Sequence, residues 1–446
     1  MSGLSVAWQR LIKQADPIQA QAALARQRRH VAQGAWLGKT NRYRDYPSER
    51  VAKDLKLGVT NDRDLAAFVA ASASGHLMDG WAYLGRALDA HVHNDLDASR
   101  HAAYYAELRA AISLLSTQGV GIFNRTHVVL TATGCVSLVG APTHDMVWKA
   151  LVFWADNPVG APGAARLFGK IVRPFGVPLD DWFVGIPFGK PWKPVASRWL
   201  RGWGADLAWY ENDRSARNIA SYAANQIRSP SIEPTKRASE VLRNIWLALE
   251  PSPGQPFNTL DLHLLRRSVD AMYKAARSRP RSATNSDFVK TVEGVASNAP
   301  SPEQERQVRQ FLLRRVDSND LSILNEADGR LKVYDPGHHV QVISRAAVLL
   351  RLASGACADL VEQAGFLAQD LSPWRAAFAI DRGLWDAGAG PADPSDLWAD
   401  VQTAIEDLER WEASSRSGAT LFDWRTNVAQ AVESLTVTDR LLAWSL

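Results

Sequence analysis

Small and apolar residues recur at spacings of three and four through "NDRDLAAFVAASASGHLMDGWAYLGRALDAH", residues 61–91, the period of a helix with one packed face. Asn61 or Asp62 offers a capping side chain at its start. A second run of the same period, "DLDASRHAAYYAELRAAISLLSTQG", follows a short break and stops near Gly119, so the two predict an antiparallel helical hairpin. Between 126 and 140 the period changes. The β-branched runs of "THVVLTATGCVSLVG" on either side of Thr133 and Gly134 predict a small strand pair. Helix returns at "THDMVWKALVFWAD".

The stretch at about 151–203 brings many Pro and Gly together with Phe and Trp, and reads as a long irregular insertion held by aromatics. Loops of that length inside a domain are uncommon and often functional. Helical spacing resumes over 195–228, in "TKRASEVLRNIWLALE" and in "TLDLHLLRRSVDAMYKAAR". Residues 278–303, rich in Ser, Pro and Asn, read as a linker, and everything after them reads as helix. No repeat of fixed period occurs, which disfavours a solenoid.

The predicted fold is therefore mainly α. Residues 1–61 form a basic N-terminal arm, 62–277 a helical domain with a small β insertion, 278–303 the linker and 304–446 a C-terminal helical domain. A length of 446 residues suits two or three domains better than one core.

Composition changes this picture little. Hydrophobic residues make up 46% and charged residues 22%, as in a folded globular protein. The longest apolar runs, "KALVFWAD" and "RAAVLLRLASGACADL", are interrupted by charge or small polar residues, and the N-terminus has charges where a leader would be apolar. The expectation is a cytoplasmic protein with no membrane partner. Cys135 and Cys357 alone build neither a disulfide framework nor a thiolate zinc site. A formal charge of +4 permits nucleic-acid binding without arguing for it. Seventeen tryptophans are the outlier, and their size predicts that many pin helix junctions.

Candidate chemistry concentrates in "ENDRSARNIASYAANQI", residues 211–227. Arg214, Arg217, Asn218 and Ser221 share one helical stripe, and Tyr222 lies one turn beyond Asn218. "RNIASY" resembles the signature helix of the HEPN superfamily, whose ribonuclease members carry Arg, often followed by Asn, and then His after four to six residues. The long hairpin with "HAAYYAELRAAISLL" is similar to the helices of YaaC-like and related bacterial HEPN proteins. The resemblance spans about 62–275 and departs at Tyr222, which stands where the family has His. It implies an RNA-binding or RNA-cleaving protein of phage defence or a toxin–antitoxin system, acting as a homodimer and, where catalytic, as a metal-independent endoribonuclease. Arg217, Asn218 and Tyr222 are then the site residues. An ordinary tyrosine, with a pKa of about 10, is a poor base at neutral pH, so Tyr222 fits a donor or a stacking ring better. The alternative is a non-catalytic helical adaptor that docks other protein subunits, for which full burial of Arg217 would speak.

Two further patterns stand beside it. Arg267, Lys274, Arg277 and Arg281 line one face of a helix, as does Asp270, and could track a phosphate backbone together with Arg214. In "GRALDAHVHNDLDASRH", Arg86 and His91 repeat the Arg-four-His spacing, while His91, His93, Asp95 and Asp97 alternate in what reads as a solvated turn. Neither leads to a metal, and no cofactor is expected. Walker, G-x-S-x-G and H-E-x-x-H motifs are absent, and the paired His338 and His339 read as a helix start.

Overall fold

Asn61 starts the longest helix: its side chain accepts the Asp64 N–H at 3.1 Å and so satisfies one of the amides that a helix start leaves unpaired. In the computed structural model, which describes residues 4–156, 163–186, 217–219, 235–252, 255–277, 285–314, 321–333, 335–415 and 420–446, the mainly α architecture is plain. Four helices precede Asn61: α1 (Val6–Ile12), α2 (Pro17–Ala25), α3 (Arg28–Val31) and α4 (Pro47–Leu57). Then come α5 (Asp62–Val92) and α6 (Leu96–Thr117), turned by Asn94 in the left-handed region (φ 56°) and restarted by Asp95, whose side chain accepts the Ala98 N–H. The predicted hairpin is this pair.

A three-stranded antiparallel sheet follows: β1 (Val120–Ile122), β2 (Thr126–Thr131) and β3 (Gly134–Val139), in that spatial order. β2 and β3 are the predicted strands, and β1 adds a third that the sequence reading lacked. Its three residues are too few to show a period, and its register is set by pairing Val120 with Val129. Next are α7 (Thr143–Asp156), α8 (Ala164–Ile171) and α9 (Leu179–Trp182). Helix therefore occupies parts of 151–203 that read as irregular. The rest of that insertion lies largely outside the described residues.

The remaining helices include α10 (Thr235–Ala248), α11 (Asn258–Arg277), α12 (Asn285–Ala296), α13 (Pro302–Leu313), α14 (Ser322–Ala327) and α15 (His338–Gln363). Helix α12 corrects the linker expectation for 278–303. Phe288, Thr291, Val292 and Val295 recur at helical spacing and are buried, a pattern that the flanking Ser, Pro and Asn residues masked.

The core centres on α15, which packs along α6 and α5. It is long and apolar enough to pass for a membrane span, yet 94% of its most apolar window is buried inside the protein, and His338, His339, Arg345 and Arg351 sit along it. Close approach needs small residues. At Gly80 of α5 an added Cβ would stand 2.6 Å from Leu350 of α15. Tryptophans pin the junctions as expected: Trp81 donates to Ser354 Oγ at 3.0 Å, and Trp246 of α10 to the Leu435 carbonyl at 2.8 Å. Among the described residues one hydrophobic cluster takes in Trp8, Leu24, Trp36, Tyr43 and Val51 as well as Leu446, so these residues of the predicted N-terminal arm pack into the core. It also includes Phe288, Val292, Val295 and Ala296 of α12.

Candidate functional site

His101, Tyr104 and Tyr105 stand at spacings of three and four on α6 and therefore share a face. That face meets the first turn of α7. Tyr104 is buried, and its hydroxyl lies 2.9 Å from His144 Nδ1, with the two rings only 18° from parallel. One turn along α7, Trp148 donates its indole N–H to the same hydroxyl at 3.5 Å. Arg217 closes the cluster from the helical segment 217–219. Its Nη2 is 3.3 Å from His144 Nε2 and its Nη1 donates to Asn218 Oδ1 at 3.0 Å. The guanidinium lies 5.9 Å and 5.6 Å from the ring centroids of Tyr104 and Tyr105.

A guanidinium can only donate, so His144 must present its Nε2 lone pair to Arg217. The proton then resides on Nδ1 and is donated to the Tyr104 oxygen. This assignment follows from the hydrogen-bond network, which at this position admits the neutral ring. His101, with its ring 5.0 Å from Tyr105, has its pKa lowered by burial and then by the charge on Arg217. Outward from Arg217 the aromatic surface continues: Tyr105 stacks on Tyr83 at 5.4 Å, and the exposed Arg86 lies 5.0 Å over Tyr83. Two cations thus bracket a pair of stacked tyrosines, the alternation that suits phosphates and unpaired bases.

Of the residues singled out in the sequence, Arg217 and Asn218 belong to this cluster. Arg217 is half-buried and Asn218 exposed, so the full burial that would speak for an adaptor does not occur. Tyr222, Arg214 and Arg281 lie outside the described residues, as does the side chain of Arg277. In the basic stripe, Lys274 is exposed, but Arg267 is mostly buried, paired with Asp328 and donating to Asn325 Oδ1 at 2.6 Å. That anchorage to α14 engages both terminal nitrogens of Arg267 with acceptors of this chain. Arg86 and His91 do not meet: Arg86 lies on Tyr83, while His91 is buried with Nδ1 2.9 Å from His339 Nε2. The His91, His93, Asp95 and Asp97 alternation also disperses. Asp95 caps α6 and Asp97 pairs with Arg100. Among the described residues, no group of three or more His, Cys, Asp or Glu could hold a metal ion.

The residues that sequence reasoning missed are His144, Tyr104, Tyr105 and His101. The last three carried a signal, an aromatic pair with a histidine one turn before it in "RHAAYYAELR". His144 carried none, being one histidine at a helix start. No protein-family model, curated protein or solved structure matches the chain.

Proposed function

We propose that this protein is a HEPN-like RNA-binding protein whose Arg217 cluster grips a single-stranded segment and cleaves it without a metal. The observation that carries the reading is the contact between Arg217 and His144, which supplies an imidazole from α7 although Tyr222 occupies the motif's third position. In the proposed reaction, Arg217 turns from His144 Nε2 to the phosphoryl oxygens, and the freed Nε2 takes the proton of a ribose 2′-hydroxyl as the 2′-oxygen attacks the adjacent phosphorus. The imidazolium then returns the proton to the departing 5′-oxygen, leaving a 2′,3′-cyclic phosphate. Arg217 would balance the charge that builds on the phosphoryl oxygens, and Tyr105 with Tyr83 would stack flanking bases.

The test compares wild type, Arg217→Ala and Tyr105→Ala on labelled single-stranded RNA, with a 2′-deoxy analogue for binding. Arg217→Ala should lose cleavage, and Tyr105→Ala should weaken binding about 5- to 150-fold, as the loss of ~1–3 kcal/mol of stacking requires. Equal background cleavage by wild type and Arg217→Ala would remove the nuclease reading. If the analogue also failed to bind, the adaptor would be left. The family resemblance adds a homodimer to the proposal, which light scattering on the purified chain measures directly.

A further inference from the structure

A cavity of about 630 Å³ opens where the ends of α1 and α6 meet the start of α2, the turn between β2 and β3, α8 and the last turns of α15. It shares no residue with the Arg217 cluster. Leu167 and Leu360 form buried parts of its wall, and the exposed Ile18 adds to that apolar lining. The volume lies within the range of small-molecule sites.

The polar part of the wall is built on Gln118, the C-cap of α6, which is only 6% exposed. Gln118 Nε2 donates to Thr117 Oγ1 at 3.1 Å, and that hydroxyl donates to the Leu114 carbonyl at 2.7 Å. Because the Thr117 proton is directed at Leu114, its oxygen can only accept, which fixes the orientation of the Gln118 amide. Among the described residues nothing donates to Gln118 Oε1, yet that oxygen is not sealed off and remains open to the cavity. A buried amide carbonyl normally has a donor, and here solvent or a molecule in the cavity must supply it.

The charges around this oxygen do not balance. Lys170 pairs with Asp359. Asp16 uses both carboxylate oxygens at the start of α2, accepting the Ile18 N–H at 3.0 Å and Gln19 Nε2 at 3.3 Å. Lys13 and Arg166 are left: both line the cavity and make no ion pair among the described residues, and Lys13 Nζ has the Phe153 ring 5.8 Å away. Two uncompensated cations suit a dianion, and the Gln118 oxygen suits an N–H. A dicarboxylate supplies the first without the second, and a nucleoside the second without the first. We propose that the cavity binds a nucleoside monophosphate. Its phosphate takes Lys13 and Arg166, an N–H of the base donates to Gln118 Oε1, and the base lies against Leu167 and Leu360.

The full-length protein is titrated with the ribonucleoside 5′-monophosphates singly, and with their nucleosides, inorganic phosphate and succinate as controls, by thermal shift and then calorimetry. At least one monophosphate should raise Tm in a dose-dependent way and bind more tightly than every control. Lys13→Gln and Arg166→Gln should each weaken that binding by about fivefold or more while leaving the ligand-free Tm in place, because both residues are exposed. Gln118→Leu should weaken it by about fivefold or more and leave the response to inorganic phosphate as it was. Arg217→Ala should not change it, which separates this cavity from the RNA surface proposed above. The proposal is overturned if no monophosphate shifts Tm at millimolar concentration, if a control binds as tightly, if Lys13→Gln and Arg166→Gln both retain the wild-type affinity, or if Arg217→Ala abolishes binding.

Discussion

Arg217 Nη2 stands 3.3 Å from His144 Nε2 across a separation of 73 residues in the chain. The contact makes His144 the decisive residue for the proposed cleavage. His144→Gln keeps a hydrogen-bonding side chain but cannot carry the proton. It should lower the cleavage rate by about 10²–10⁴-fold while a 2′-deoxy analogue binds as before. Single-turnover cleavage beside an equilibrium binding curve separates the two. A matching loss in both would assign His144 to positioning Arg217.

The pH dependence of folding should show His76. Arg109 Nη1 lies 2.8 Å from His76 Nδ1, and since the guanidinium donates, that nitrogen must be unprotonated. Burial, and then the charge of Arg109, lower the His76 pKa to about 3. An unfolded histidine titrates near 6.5, so below that pH the unfolded chain binds a proton that the folded one refuses. Stability should therefore be fully present above about pH 6.5 and fall as pH drops toward 3. Urea denaturation as a function of pH measures this, and His76→Gln should flatten the slope in that window.

Asp261 and Arg351 are both buried, each with about 4% of its side chain accessible. Removing one partner strands the other charge. Asp261→Ala should cost about 3–5 kcal/mol in denaturant unfolding, whereas Asp261→Leu combined with Arg351→Met should cost less than the sum of the two single changes. Additivity of the singles would mean that the pair does not act as a unit.

Gly85 of α5 faces the backbone carbonyl of Thr436, and an added Cβ would collide with that oxygen. The adjoining Thr438 hydroxyl donates to the Trp81 carbonyl at 2.6 Å, which holds the segment close. Alanine is favoured over glycine in a helix by about 1 kcal/mol, so a free site would gain from Gly85→Ala. Here the backbone cannot yield, and the variant should instead lose about 1–3 kcal/mol. A rise in Tm would show that 436–438 moves aside.

What the sequence determined by itself is local. The helical hairpin of α5 and α6, the strands β2 and β3 and the start of α7 follow from period, caps and β-branched runs, which each stretch carries within itself. The Arg217–Asn218 pair was visible for the same reason. The tertiary structure decided what these pieces meet. His144 joins Arg217, Arg267 turns to Asp328 instead of outward, and the polar groups of α15 find Asp261 and His91. None of those partners is fixed by spacing, because a side chain's neighbour across a packed core depends on how whole helices cross. Period reports which face of a helix is buried, and packing alone reports what it is buried against.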